Sequence, residues 1–396
     1  MKKTIDDFNF FDKKVLLRLD LNVPIKDGVI ESTNRIDEAL PTLKELIKNN
    51  ARIVVVSHLG RPDGEVKEEF SLKPVYEYLK KVLPTKVYFS NNIANEDMVK
   101  EVNELKNGEV LLLENIRFHK QEEANDDEFA KKLSEPFDYF VFDAFGTAHR
   151  KHASTYGVSN YLPSAMGRLV EKELKYLSIV STNVKHPVLA ILGGAKVKDK
   201  LKVINNLLDK VDVLILGGAM SYTFVKAISG DVGKSLVDDE QIEYCYNCIK
   251  KAVNNKVKLL LPIDNVCAEN FDGEIKICKT NKFDKNLMGL DIGPKTIRLY
   301  RKMIKHAKTI IINGPMGAFE YERFSVGTNE IIKAIAKNKR AVKVAGGGDT
   351  TLAIEKLNLK DKFTHVSTGG GASLKLLEGS SLPAIENLSD KENTNE

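Results

Sequence analysis

The run Val188-Leu189-Ala190-Ile191-Leu192, followed at once by Gly193-Gly194-Ala195-Lys196, decides the architecture. Five successive aliphatic residues without polar alternation read as a strand buried on both faces, and the glycine pair that ends it reads as a tight turn. A near copy, Ile215-Leu216-Gly217-Gly218-Ala219, follows one helix-length later. Working outward, the same rhythm of apolar run, turn and helical stretch fills the chain. Runs at 15–19, 53–56, 87–89, 110–113 and 139–142 precede the quoted segment, and runs at 213–216, 259–261, 309–312, 342–345 and 365–367 follow it. Alternating strands and helices predict parallel sheets with helices on both faces.

At 396 residues the chain is too long for one comfortable core, so two such sheets are expected. The α/β fold class is therefore two Rossmann-like lobes, residues 1–167 and 168–374. Leu169, Val170, Leu174, Leu177 and Val180 recur at helical spacing across a charged stretch and predict a bridging helix over 168–182. That helix reads equally as an interdomain hinge or as one more crossover. The polar residues after Leu388 read as a frayed tail.

The apolar share of 42% and charged share of 29% are those of a folded domain, not a disordered chain. No apolar run approaches transmembrane length, and no apolar stretch follows the basic Met1-Lys2-Lys3, so neither a membrane partner nor a leader is expected. The four cysteines, all beyond position 244, are too few and too clustered for a disulfide framework, which points to a reducing cytoplasm. The net charge of +5 is spread over many lysines without a dense basic arm, so no nucleic-acid partner is expected. The eleven arginines behave differently, because Arg35, Arg61, Arg117 and Arg150 fall at or just past strands.

Ligands of parallel sheets bind at the carboxyl ends of strands, and there the two halves differ. The first half presents Asp20-Leu21-Asn22, Ser57-His58-Leu59-Gly60-Arg61, Glu114-Asn115-Ile116-Arg117 and the stretch from Asp143 to Arg150. Guanidinium forks and an imidazole converging on one edge suit a small polyanion. The second half presents glycine turns at Gly193-Gly194, Gly217-Gly218, Asn313-Gly314-Pro315-Met316-Gly317, Gly346-Gly347-Gly348-Asp349-Thr350 and Gly369-Gly370-Gly371. Glycines let backbone N–H groups approach phosphate, so this lobe suits a nucleotide. Lys196 and Lys200 would add charge there, and Asp349 could ligate the Mg²⁺ of MgATP or MgADP.

Three motif-like segments fail on spacing or surroundings. Gly230-Asp231-Val232-Gly233-Lys234-Ser235 has Ile228 where a P-loop needs its first glycine. Cys245 and Cys248 lie in a helical pattern, and Cys267 and Cys278 complete no zinc spacing. His149 and His152 flank Arg150 and Lys151, which would repel a cation. No G-x-G-x-x-G follows a strand, which counts against a nicotinamide dehydrogenase, and an exported solute-binding protein would need no nucleotide site.

Together these segments, from Arg18-Leu19-Asp20-Leu21-Asn22-Val23-Pro24 to Leu376-Leu377-Glu378-Gly379, resemble the phosphoglycerate kinase family. The resemblance implies an N-terminal lobe for 3-phosphoglycerate or 1,3-bisphosphoglycerate and a C-terminal lobe for MgADP or MgATP. It also implies hinge closure, a monomer, and a segment 375–396 that returns to the first lobe. By matched motif, Asp20, Asn22, Arg35, His58, Leu59, Gly60, Arg61, Arg117 and Arg150 would bind the phosphoglycerate. Lys200, Gly289, Asn313, Glu320, Gly347, Gly348, Asp349 and Thr350 would bind the nucleotide, Glu320 through the ribose. Arg35, Lys196, Gly348 and Gly370 would stabilise the transferring phosphoryl group, and Asp349 would hold the metal. Departures from the family pattern at Phe142, Ala219, Ile312 and Ala384 touch packing rather than charge.

Overall fold

The computed structural model describes residues 1–178, 184–280 and 282–392. The chain divides into two compact units, Met1–Leu174 with Ser381–Glu396, and Lys175–Ser380.

Unit 1 is built on strands β1 (Lys14–Leu19), β4 (Arg52–Val56), β5 (Val87–Ser90), β6 (Val110–Leu113), β7 (Tyr139–Asp143) and β8 (Ser164–Met166), with a small hairpin of β2 (Ile25–Lys26) and β3 (Val29–Ile30) beside them. The six main strands form one parallel sheet in the order β5-β6-β4-β1-β7-β8. Burial is near-continuous along β1, β4 and β6, as strands covered on both faces require. The helix Asn34–Lys48 shows how the cover is made: Ile36, Ala39, Leu40, Leu43 and Leu46 fall on one stripe and are all buried. They join Val15, Leu17, Ile53 and Val55 in the core.

Unit 2 comprises β9 (Val188–Leu192), β10 (Val213–Leu216), β11 (Lys258–Leu260), β12 (Asp264–Ala268), β13 (Lys276–Lys279), β14 (Met288–Ile292), β15 (Thr309–Asn313), β16 (Val342–Gly346) and β17 (His365–Val366). Its parallel sheet runs β11-β10-β9-β15-β16-β17, the strand order of a dinucleotide-binding fold. Strands β13-β12-β14 make a separate antiparallel sheet that the sequence reading does not anticipate. Their short, polar-punctuated segments lack the continuous apolar signature of the parallel strands. Strand β8 is missed for the same reason, being three residues long.

The helix Arg168–Leu177 starts in unit 1, and the division between units falls within it. Asp143, at the end of β7, is turned toward this helix and accepts the Val170 N–H at 3.0 Å. Arg168 fastens its first turn to Asp6 at 2.6 Å and Glu45 at 2.7 Å. The expected continuation to 182 lies outside the described residues. The tail is not frayed where it is described. Lys3 N–H donates to Ser389 O at 2.8 Å, Lys391 N–H to Met1 O at 2.7 Å, and Ala384 N–H to Ala148 O at 3.1 Å, so the returning segment is stitched to both ends of unit 1's sequence. No helix among the described residues is long and apolar enough to cross a membrane.

Burial raises the Asp143 carboxyl to about 7, since its bonds to the Thr42 hydroxyl and the helix N–H groups only partly offset its desolvation. The folded state therefore holds this proton more tightly than the unfolded chain. The resulting stability is full below the unfolded value near 4 and is lost as pH rises through about 7. In Asp143→Asn the position no longer ionises. Calorimetric melting should show the wild type losing a few degrees relative to the variant between pH 4 and pH 8. A pH-independent difference would mean the carboxyl's affinity for its proton does not change on folding.

Candidate active site

In unit 1 the strand order reverses around β1, which lies between β4 and β7, and the loops leaving their carboxyl ends part there. Such a reversal is where parallel sheets bind ligands. Asn115, after β6, is fully buried and clips two of these loops together. Its Oδ1 accepts the N–H of Leu59 at 3.2 Å and of Arg117 at 3.1 Å, and its Nδ2 donates to Leu59 O at 2.7 Å and Phe70 O at 2.9 Å. Gly60 N–H donates to Asn22 Oδ1 at 3.0 Å, and Gly60 O accepts Arg117 Nη1 at 2.9 Å. Arg35, on the first turn of Asn34–Lys48, places Nη1 at 3.4 Å from Asp20 Oδ2 and 3.2 Å from Asn22 O. The backbone thus brings Asp20, Asn22, Arg35, Leu59, Gly60 and Arg117 into one cluster.

Arg117 is only 3% exposed, and its buried Nη2 has no hydrogen-bond partner among the described residues, while its Nε is 3.4 Å from the Glu123 carboxylate. A buried guanidinium with an unspent donor is primed for an anion. His58 is also buried, and desolvation together with the charges of Arg18, Arg117, Arg35 and Arg150 holds it well below its usual value, so it is neutral. His152 is pushed down to about 3 by burial and the charges of Arg117, Arg18 and Arg150. Arg150 borders the group, its Nε donating to His149 Nε2 at 3.3 Å. Arg61 is exposed and makes no hydrogen bond or ion pair among the described residues.

Sequence reasoning passed over Arg18, Glu122 and Ser154, which lie beneath this edge. Arg18 is the largest fully buried side chain, and burial lowers it to about 10, still a cation at neutral pH. The signal was present, because a charged residue inside the apolar run of β1 must have buried partners.

In unit 2 the reversal lies between β9 and β15, and Lys200 closes it. Its Nζ donates to Gly193 O at 2.6 Å, Asn313 O at 2.6 Å and Asn313 Oδ1 at 2.8 Å, which uses all three ammonium donors. Burial pulls Lys200 down to about 8. Thr350 Oγ1 accepts Gly314 N–H at 2.7 Å, joining the loop after β15 to the helix Gly348–Lys356. Lys200, Asn313 and Thr350 are thus tied to the strand ends, whereas Lys196 stands exposed. Beside them a cavity of about 460 Å³ is lined by Gly289, Glu320 and Asp349 among the expected residues. It is also lined by Tyr222, Leu236, Phe271 and Leu352, which the sequence did not single out. Those apolar residues arrive from four separate segments and carry no local motif.

The glycines split into two kinds. A Cβ at Gly193 would overlap the Pro315 carbonyl oxygen, and one at Gly218 would come within 2.6 Å of Gly194 O, so these glycines serve close backbone packing. Around Gly348 and Gly370 nothing lies within 4 Å of the added Cβ. Gly370 needs its residue type for a φ of 45°, and Gly347 for one of 91°. A Gly193→Ala variant should lose about 1–3 kcal/mol in denaturant unfolding of unit 2, while Gly348→Ala should stay within about 0.5 kcal/mol of wild type. Equal losses would deny the distinction.

The family model described as phosphoglycerate kinase matches residues 5–380. A phosphoglycerate kinase from Clostridium tetani is 49% identical over 395 residues, covering 98% of each chain, and one from Finegoldia magna is 48% identical over 394 residues, covering 98% of this chain and all of its own. Among solved structures, the enzyme from Coxiella burnetii superposes with a TM-score of 0.89 at 40% identity, and that from Pyrococcus horikoshii with 0.83 at 34%, each covering 98% of both chains.

Proposed function

The chain belongs to the phosphoglycerate kinase family, and from that premise we propose which of its residues carry the reaction. The reaction moves a phosphoryl group between 1,3-bisphosphoglycerate and ADP, giving 3-phosphoglycerate and ATP, and is reversible. The observation that carries the assignment is Arg117, a buried guanidinium with an unspent Nη2 beside a neutral His58 at the strand reversal of unit 1. These groups, with Asp20, Asn22, Arg35, Leu59, Gly60, Arg61 and Arg150, bind the phosphoglycerate. The cavity of unit 2 takes the nucleotide, its apolar lining suiting a flat base, Glu320 the ribose, and the turns at Gly347–Thr350 the phosphates.

Mg²⁺ enters with the nucleotide. Asp349 is exposed on the cavity wall, and the described residues contain no group of three or more metal-ligating side chains. That inventory fits an ion held by one carboxylate, phosphate oxygens and water, where it would neutralise phosphate charge. The four cysteines, all free and buried, suit a reducing cytoplasm, where the protein acts as a monomer.

The phosphoryl acceptor in the ATP-consuming direction is a carboxylate, already ionised at neutral pH, so no general base is needed. Catalysis reduces to positioning the two substrates and neutralising the phosphoryl oxygens. Arg35 is held from behind by Asp20 and Asn22, which leaves its remaining N–H groups to a ligand. Lys196 supplies a second mobile charge. The N–H groups of Gly348 and Gly370, around which space is open, complete the set.

The purified protein, given ATP, Mg²⁺ and 3-phosphoglycerate, should form 1,3-bisphosphoglycerate, followed through a coupled dehydrogenase that consumes NADH. Arg35→Ala and Lys196→Ala should each lose on the order of 100-fold to 1,000-fold in turnover. In Arg35→Ala, ADP affinity by titration calorimetry should change far less than turnover does. Near-normal turnover in either variant would remove that residue from the mechanism.

A further inference from the structure

Beneath the unit 1 edge, four side chains from separate segments form a single buried chain of hydrogen bonds. Glu122 and Ser154 are both wholly inaccessible to solvent, Arg18 is 1% exposed and His58 5%. Ser154 donates twice to Glu122, N–H to Oε2 at 2.8 Å and Oγ–H to Oε1 at 2.6 Å. Both carboxylate oxygens therefore act as acceptors. Ser154 Oγ, its proton committed to Glu122, accepts Arg18 Nε at 2.9 Å. Arg18 spends Nη1 on Leu19 O and lays Nη2 3.2 Å from His58 Nδ1.

Each contact fixes the polarity of the next. A guanidinium has donors only, so His58 Nδ1 must be the acceptor. A neutral imidazole whose Nδ1 accepts carries its one proton on Nε2. His58 can then offer an anion a donor from Nε2, whereas the opposite tautomer would offer a lone pair and repel it. The buried guanidinium, in turn, is tolerated because Glu122 supplies the compensating charge through Ser154. Removing that charge leaves Arg18 free to settle elsewhere and frees His58 Nδ1 to take the proton.

We propose that Glu122 is a positioning residue which, through the Ser154 hydroxyl and the Arg18 guanidinium, holds His58 in the Nε2–H tautomer that donates to the phosphoglycerate. It touches no reacting atom. The last step rests on the assignment of His58 to the phosphoglycerate site, but the tautomer itself belongs to the ligand-free protein.

The test separates these layers. ¹⁵N-labelled protein without ligand, read by long-range ¹H–¹⁵N correlation at neutral pH, should show His58 as the Nε2–H tautomer in the wild type. Glu122→Gln, which keeps shape and removes charge, should shift it toward the Nδ1–H form or a mixture. Ser154→Ala, a smaller change that cuts the relay while leaving both charges, should do the same and guards against a Glu122→Gln chain that fails to fold. In the coupled assay both variants should raise KM for 3-phosphoglycerate about 10-fold to 100-fold, the range of a hydrogen bond to a charged group, with kcat and KM for ATP within about threefold. An unchanged tautomer in Ser154→Ala overturns the proposal, as does a loss confined to kcat. A shifted tautomer with an unchanged KM would uphold the relay and overturn the placing of His58 against the substrate.

Discussion

Three oxygen atoms and one ammonium group meet where the strand order of unit 2 reverses. A parallel sheet ends on carbonyl groups with lone pairs to spare, and at the reversal, where Asn313 O already accepts the Gly193 N–H at 3.1 Å, the flanking helices leave toward opposite sides and open room for a further donor. Lys200 reaches in, and its three bonds to Gly193 and Asn313 hold β9 and β15 together at their carboxyl ends. The glycine turns can then press backbone on backbone, Gly218 against Gly194 and Gly314 against Gly193. The cavity of unit 2 is the space left beside that tightly closed seam. The lysine is architecture here, its three donors all spent on the seam.

Unit 1 solves the equivalent problem with a different chemistry. Its strand ends are joined by an amide, Asn115, which both donates and accepts, and by guanidinium groups whose planar forks reach several oxygens at once. The guanidinium of Arg117 leaves a directed donor over, where the Asn115 amide and a lone ammonium such as that of Lys200 spend all of their own. The unit proposed to take a compact carboxylate-phosphate is thus rich in fixed arginine forks, and the unit proposed to take a long polyphosphate is rich in glycine turns. This division follows from what each sheet uses to close itself.

The parallel sheets were legible in the sequence because strands covered on both faces leave unbroken aliphatic runs, as in Val188–Leu192 and Val110–Leu113. The antiparallel β12, β13 and β14 were not, since Asn265, Cys267 and Cys278 interrupt any alternation and part of their surface is open. Within the sites, residues adjoining a strand end announced themselves by type and place: Arg35, His58, Arg117 and Asp349. Residues that act from behind, such as Glu122 and Ser154, did not, because a glutamate in a short helix and a serine in a loop look like any surface pair until folding buries both. Tyr222, Phe271 and Leu352 were equally silent, as an apolar wall is assembled from distant segments and has no spacing of its own.

The returning segment has a consequence for the order in which the chain takes shape. Unit 1 receives Ala384 against Ala148, Ser389 against Lys3 and Ser164, and Lys391 against Met1. A polypeptide leaves the ribosome from its amino end, and domains fold as their residues emerge. Here the second unit, whose residues are all present by Ser380, has its full sequence before the first does. The earlier-made unit completes its amino-terminal residues and its edge strand β8 only when these later-made residues arrive.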